Sequence, residues 1–395
     1  MAAANPELPR PDDDALALSA ALVDRIAEAI AANGGALPFH DYMHRALYEP
    51  GLGYYSAGSH KLGAAGDFVT APEISPWFGR CLAREAAPVL QALGGGDILE
   101  PGAGSGRLAV AVLTELERLE VLPGRYRILE VSADLRERQR ATLAAECPHL
   151  LARVVWEDTL PDGLRGVVLA NEVLDALPVH RFRITEDGAR ELAVATTPEG
   201  GFVEVEKPLD DPRLEARLTA IQEAVGPLPT GYESEIGLAA EDWTSALADA
   251  LTAGLILLID YGFPRHEFYH PQRDGGTLMG HYRHHSHTDP FLYPGLSDLT
   301  AHVDFTAIAT AAWEAGLNVA GFTTQAHYLL GTGLAEAMET VNPVDQRAQA
   351  ELARAMRTLT MPEEMGELFK VLALTRGDDL PPLQGFTLRD MRGRL

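Results

Sequence analysis

Cysteine is nearly absent from this chain: Cys81 and Cys147 are the only two in 395 residues, and they form no C-x-x-C pair. That excludes a disulfide framework and a thiolate metal site, and it points to a reducing, cytoplasmic location. Positive charge is scarce as well. Against 57 Asp and Glu stand 32 Lys and Arg, leaving a formal charge of −25, the opposite of a surface built for nucleic acid. No window approaches the roughly 18 apolar residues of a membrane span. Residues 1–18 are rich in Pro and Asp, with three aspartates where a transit peptide needs arginines and a signal peptide a basic start and apolar core; they read as a disordered leader. Aromatics reach only 7%, but 46% hydrophobic residues suffice for one large or two modest domains.

What the chain has instead is a change of rhythm. Ser19 to Ala32 carries apolar residues at helical spacing, with Ser19 placed as an N-cap and Asn33-Gly34-Gly35 as a stop. A second helical pattern begins near Pro76 and closes a helical N-terminal extension over 19–95. From Gly96 short apolar runs alternate with longer helical windows, as parallel βαβ units do. Strands are expected at DILE, YRILEV, RVVWE, GVVLANE and GLILLIDYG, then at LNVAGFTTQ and FKVLALT. The core so defined spans 96–182 and 250–376, ahead of a C-terminal tail over 377–395. Between its halves, residues 183–249 form an insertion whose period-two pattern predicts an antiparallel hairpin, followed by a helix around Leu214 to Ala224.

The stretch DILEPGAGSGRL places Gly102, Gly104 and Gly106 directly after a strand. A nicotinamide fingerprint would space its glycines G-x-G-x-x-G, but here Arg107 stands where the last glycine belongs, and no Lys-Ser or Lys-Thr follows for a Walker-type phosphate loop. Glu100, immediately before the glycines, would repel a pyrophosphate and suits a ligand with an ammonium group and a cationic sulfur. S-adenosylmethionine has both. Glu130, ending the second strand, can accept both ribose hydroxyls, with Val131 beside it as a further cofactor contact. Glu157 and Asp158 after the third strand can accept from the adenine amino group. Asn171 and Glu172 end the fourth strand at the edge where open α/β sheets bind ligands.

The motifs GDFVTAPEIS (Gly66 to Ser75), EPGAGSG, ANEVLDALPVHRF (Ala170 to Phe182), LIDYG, DPFLYPGLSDLTAHVDF and MGELFKVLAL resemble, in order and over about Phe39 to Leu374, the MidA-like family of S-adenosylmethionine-dependent methyltransferases. Its mitochondrial member is a complex I assembly factor and protein-arginine methyltransferase. The resemblance implies an α/β fold, a class I methyltransferase (Rossmann-like) seven-stranded sheet with an N-terminal helical extension and an inserted α+β segment. It also implies that GDFVTAPEIS lies over the cofactor, so that Thr70, Pro72, Glu73 and Ser75 touch it. It supports Gly102, Gly104 and Glu130 as cofactor contacts and Asn171, Glu172 and Asp175 as the edge between cofactor and substrate.

An arginine methyltransferase needs carboxylates that grip the guanidinium and localise density on one nitrogen; Glu172, Asp175 and Glu73 are the candidates. Asp260 and Tyr261 are expected at the same rim, and Tyr261 and His281 as substrate contacts. The cluster His281, His284, His285 and His287 invites a metal reading, but its Tyr, Arg and Thr neighbours favour a polar pocket, and no metal is expected. Tyr42, Tyr54 and Tyr55 read as packing, Phe68 as facing the pocket. The leading expectation is a methyltransferase acting on arginine in a protein partner, with homodimerisation open and neither nucleic acid nor membrane involved. The alternatives are methylation of a small molecule and a non-catalytic assembly factor on the same fold.

Overall fold

The computed structural model describes residues 8–57, 70–340, 345–377 and 379–395. Gly66, Asp67, Phe68 and Val69 of the first motif lie outside the described residues. Two compact units emerge, one made of Met1–Phe68, Leu174–Glu241 and Phe263–Asp304, the other of Val69–Val173, Asp242–Gly262 and Phe305–Leu395.

The first unit begins with a helix that starts at Asp13 and runs to Ala32, not at Ser19. Asp12 is its N-cap, accepting from the Ala15 amide at 2.9 Å. Asp13 and Asp14 occupy the first turn, where the helix dipole favours negative charge; the acidic run expected in a disordered leader is a helix start. Ser19 is buried in mid-helix. Three strands, His180–Thr185, Gly188–Thr196 and Phe202–Pro208, form a meander rather than a single hairpin, and Glu233–Ile236 pairs with the first of them. The grouping by sequence also differs from the structure here. Leu37 pairs with Val194 in the same sheet, and Leu22, Ile26, Phe39, Tyr42, Val194 and Leu299 share one core. The N-terminal residues, the insertion and the loop 263–304 therefore fold together, because each brings an apolar face that alone it could not bury. Within that loop Met279–Tyr282, His285–His287 and Asp298–Thr300 make a small sheet.

The second unit carries the large sheet. We label its strands β1 (Asp97–Pro101), β2 (Tyr126–Leu129), β3 (Val154–Glu157), β4 (Leu164–Asn171), β5 (Leu251–Phe263), β6 (Asn318–Thr324) and β7 (Phe369–Arg376). They lie in the order β6-β7-β5-β4-β1-β2-β3. The first five are parallel, and β7 runs antiparallel to both β5 and β6. Continuous burial of Val167, Val168, Leu169 and Ala170 in β4 and of Leu255 through Ile259 in β5 is what a sheet covered on both faces demands. Strand order reverses between β1 and β4, so their carboxyl ends frame the crevice where such sheets take ligands.

The far edge, β6, is covered by the last residues of the chain. The Met391 amide donates to the Phe322 carbonyl at 2.6 Å, and Arg392 reaches the Val319 carbonyl at 3.1 Å. The buried carboxylate of Glu85, on helix Pro76–Ala92, accepts from the Gln384 and Gly385 amides at 2.8 and 2.7 Å. Phe386 meets the Tyr328 ring edge-on at 5.6 Å. A Cβ on Gly385 would stand 2.3 Å from that tyrosine ring. Gly385→Ala should therefore cost about 1–3 kcal/mol through overpacking, read as a lower midpoint in urea unfolding. An unchanged midpoint would mean that the tail is not seated on Tyr328.

Candidate functional site

The crevice of the second unit is built around the turn after β1. Gly102, Gly104 and Gly106 all have positive φ, at 64°, 53° and 86°, which L side chains resist. Gly106 then serves as N-cap of helix Arg107–Arg118 without any side-chain bond. Its place in the motif predicts close approach by a cofactor. In the structure its neighbour is protein: a Cβ there would lie 3.2 Å from the Cα of Gln139, on helix Ala133–Glu146.

Four acids converge on this edge of the sheet, and each is held differently. Glu100 is only 2% exposed, and the Tyr126 hydroxyl donates to it at 2.6 Å. Burial pushes its pKa up to about 8, against the lowering effect of the Tyr126 bond and with a small contribution from nearby Glu130. It is therefore a buried, largely protonated group beneath the turn, and not an exposed partner for an ammonium. Glu130, at the end of β2, is raised by burial as well, and opposed by bonds that favour its charge. The Ser132 amide donates to one of its oxygens at 2.9 Å and Gln139 to the other at 3.1 Å. The adjacent Val131 is an apolar side chain left 76% exposed. Glu157 is engaged by Arg127 at 2.5 Å, whereas Asp158 is solvent-facing and paired with Arg136 at 2.6 Å. Arg136 also donates to the carbonyls of Glu130 and Glu157, tying the ends of β2 and β3 together.

At the end of β4, Glu172 is held at φ 53°, a strained conformation for a non-glycine residue. Its amide donates to the Ile259 carbonyl at 2.9 Å, and Asn171 Nδ2 donates to its carboxylate at 3.0 Å. The other end of the Asn171 amide, Oδ1, is buried with no hydrogen-bond partner among the described residues. A buried acceptor left so costs about 1–3 kcal/mol, and a bound donor at the crevice would relieve it.

Glu73 tells a different story from the one its motif implied. It sits in the short helix Ala71–Ile74, with Thr70 at the N-cap position and Pro72 in the first turn. Ser105 donates to one of its oxygens, and Arg107 pairs with the other at 2.9 Å. The carboxylate already grips a guanidinium, that of its own chain. Ser75 caps helix Pro76–Ala92 through a 3.2 Å bond from the Trp77 amide. Tyr261 is buried edge-on against Phe369 at 5.3 Å, and Asp260 accepts from the Tyr261 amide at 2.9 Å.

Asp175 and His281 belong to the first unit. The Asp175 carbonyl accepts from the Ala301 amide at 3.0 Å. His281 pairs with Ser286 and Asp298 in the small sheet. Its imidazole is pushed down to about 4, first by burial and then by His287, so it is neutral at physiological pH. Among the described residues no three ligating side chains converge on a metal site.

The residues at the crevice fit S-adenosylmethionine: a glycine turn, an apolar surface at Val131, the Glu130 carboxylate beside it, and the unpartnered Asn171 oxygen. Three side chains that organise this site were missed in the sequence, namely Gln139, Ser105 and Tyr126. For Gln139 a signal existed. With Leu143 it forms the buried stripe of an otherwise polar helix, and a polar residue on such a stripe needs partners.

Positions 81–323 match the model of a family described as S-adenosyl-L-methionine-dependent methyltransferases. A Burkholderia thailandensis protein, solved bound to S-adenosyl-homocysteine, is 44% identical with a TM-score of 0.94, covering 98% of this chain and 100% of that one. The protein arginine methyltransferase NDUFAF7, mitochondrial, of Danio rerio is 29% identical over 95% of this chain and 94% of its own. The human protein of that name is 28% identical over 86% and 80%.

The state of Glu100 has a measurable consequence. Its folded pKa of about 8 lies above the ordinary 4.5, so the folded protein keeps a proton that the unfolded chain releases. The associated stability is fully present below pH 4.5 and lost as pH rises toward 8. Glu100→Gln should remove this decline. The difference between variant and parent in unfolding free energy should grow by up to about 1.4 kcal/mol per pH unit in that window. Parallel pH profiles in urea titrations would sink the assignment.

Proposed function

This chain belongs to the family of S-adenosyl-L-methionine-dependent methyltransferases, and from that membership we propose that its acceptor is an arginine side chain of a protein partner. The bound cofactor supplies an activated methyl group on a sulfonium. What the chain must add is position and a handle on the acceptor, and holding two reactants aligned can supply several kcal/mol of the barrier.

Glu130 is the group we assign to the ribose hydroxyls, with the Gly102 to Gly106 turn and Val131 around the rest of the cofactor. The exposed Asp158 is the candidate for the adenine amino group. A guanidinium is a poor nucleophile while its charge is delocalised. A carboxylate bonded to two of its nitrogens concentrates positive charge there and leaves lone-pair density on the third. Glu172 carries this reading: a non-glycine residue held at φ 53°, at the end of β4, with its carboxylate fixed by Asn171. Strain of this kind persists where the surrounding structure over-determines a residue, and functional sites are where it gathers. Glu73 we reassign to holding the glycine turn, since Ser105 and Arg107 already occupy it. The names of the Danio rerio and human relatives support arginine as the acceptor. A cytosolic setting is supported by two buried, unpaired cysteines.

The test uses purified protein, methyl-labelled S-adenosylmethionine and a protein extract, followed by hydrolysis and identification of the labelled amino acid. Methylarginine is the expected product. Label recovered in a small metabolite or another side chain would overturn the proposal. With the arginine acceptor in hand, Glu172→Gln should lower kcat about 10- to 100-fold, matching loss of a charge-assisted bond worth about 1.5–3 kcal/mol. Cofactor affinity should change little.

A further inference from the structure

Gln139 is 0% exposed, and its whole amide is spent on the walls of the crevice. Nε2 donates to the Gly104 carbonyl at 3.1 Å and to Glu130 Oε2 at 3.1 Å. Oε1 accepts from the Trp156 indole at 2.9 Å. One side chain thus joins the glycine turn after β1, the acid at the end of β2 and the aromatic on β3. Trp156 is in turn covered by the Arg140 guanidinium, 4.4 Å from its ring centroid. The indole and Gly104 bonds fix the amide at both ends, so the proton offered to Glu130 always comes from one direction.

That direction matters for what Glu130 can bind. A carboxylate has about four lone-pair sites. The Ser132 amide uses capacity on Oε1 and Gln139 on Oε2, which locks the plane of the group and leaves each oxygen able to accept again. Two acceptors in one fixed plane match two vicinal hydroxyl donors. If Gln139 is removed, the carboxylate is free to turn, and the two remaining positions no longer face one diol together.

We propose that Gln139 is a positioning residue that sets the affinity and the ribose selectivity of the cofactor site, acting through Glu130 and not by contact. The inference rests on the assignment of Glu130 to the ribose hydroxyls. It predicts a particular pattern, since a residue acting through Glu130 should matter only for ligands that Glu130 reads.

The experiment is calorimetric titration with S-adenosyl-homocysteine and with its 2′-deoxy analogue, on the parent protein and on Gln139→Met, Glu130→Gln and the double variant. Methionine keeps the volume of the side chain and removes both ends of the amide. The parent should prefer the full ribose. Gln139→Met should weaken S-adenosyl-homocysteine about tenfold, as for one hydrogen bond to a charged group, and should weaken the deoxy analogue, which offers Glu130 a single hydroxyl, by several-fold less. In the Glu130→Gln background the second substitution should add nothing. Equal weakening of both ligands would overturn the proposal, because it would mark Gln139 as merely structural. So would a Gln139→Met effect that persists in the Glu130→Gln background. Wild-type affinity and selectivity in Glu130→Gln itself would remove the ribose assignment and this inference with it, a pattern distinct from the other two. Should Gln139→Met fail to fold, Trp156→Phe frees one end of the amide without touching Glu130 and should give a smaller loss of the same selectivity.

Discussion

The helix Ala133–Glu146 passes so near the glycine turn that a Cβ at Gly106 would press to 3.2 Å on Gln139, and most of the crevice follows from that approach. Gln139, whose backbone fills the space a Cβ would need, is carried by it to the Gly104 carbonyl and to Glu130. Arg136, three residues earlier and so on the same face, clamps the carbonyls that end β2 and β3. The third glycine of the motif therefore serves protein against protein. Its close contact makes the first two glycines and the strand-end acid into one rigid frame. Packing of this kind is unforgiving, since a helix moved outward by even a methyl group would lengthen every bond that Gln139 makes.

The acidic residues show how much of a site can and cannot be read from spacing. Strand ends and glycines are local features, so the strands and the edge bearing Gly102, Glu130 and Asn171 were legible in the alternation of apolar runs. The environment of each acid was not. Glu100 and Glu130 look alike in sequence, both closing a strand. One lies under the turn against Tyr126, the other lies between an amide of its own loop and Gln139. Burial and partners decide which carboxyl stays protonated, and partners such as Tyr126 and Gln139 come from elsewhere in the chain. Glu73 is a similar case, because nothing in GDFVTAPEIS announces that Arg107 will answer it.

At the level of the fold, local signals also competed with each other. Asp12 to Asp14 read as a charged leader by composition and as a helix start by position, and the cap on the Ala15 amide decided for the helix. The first unit was the least legible part, since it is assembled from three separated stretches. A two-residue strand such as Leu37–Pro38 carries no periodicity of its own. Its pairing with Gly188–Thr196 is fixed by a partner some 150 residues away, at Val194.

The seal on β6 has a consequence for how the molecule is made. Synthesis runs from the N-terminus and domains tend to fold as they emerge, yet the strand at the sheet's edge takes its cover from residues 384–395, which leave the ribosome only after β7. Until then Phe322 and Val319 present unpaired carbonyls along an open strand, the kind of edge that other chains can join. Docking of residues 384–395, rather than completion of the sheet, is the moment at which this edge ceases to be available to neighbours. Residues 384–395, remote from the crevice, are in effect the protein's own chaperone for this border.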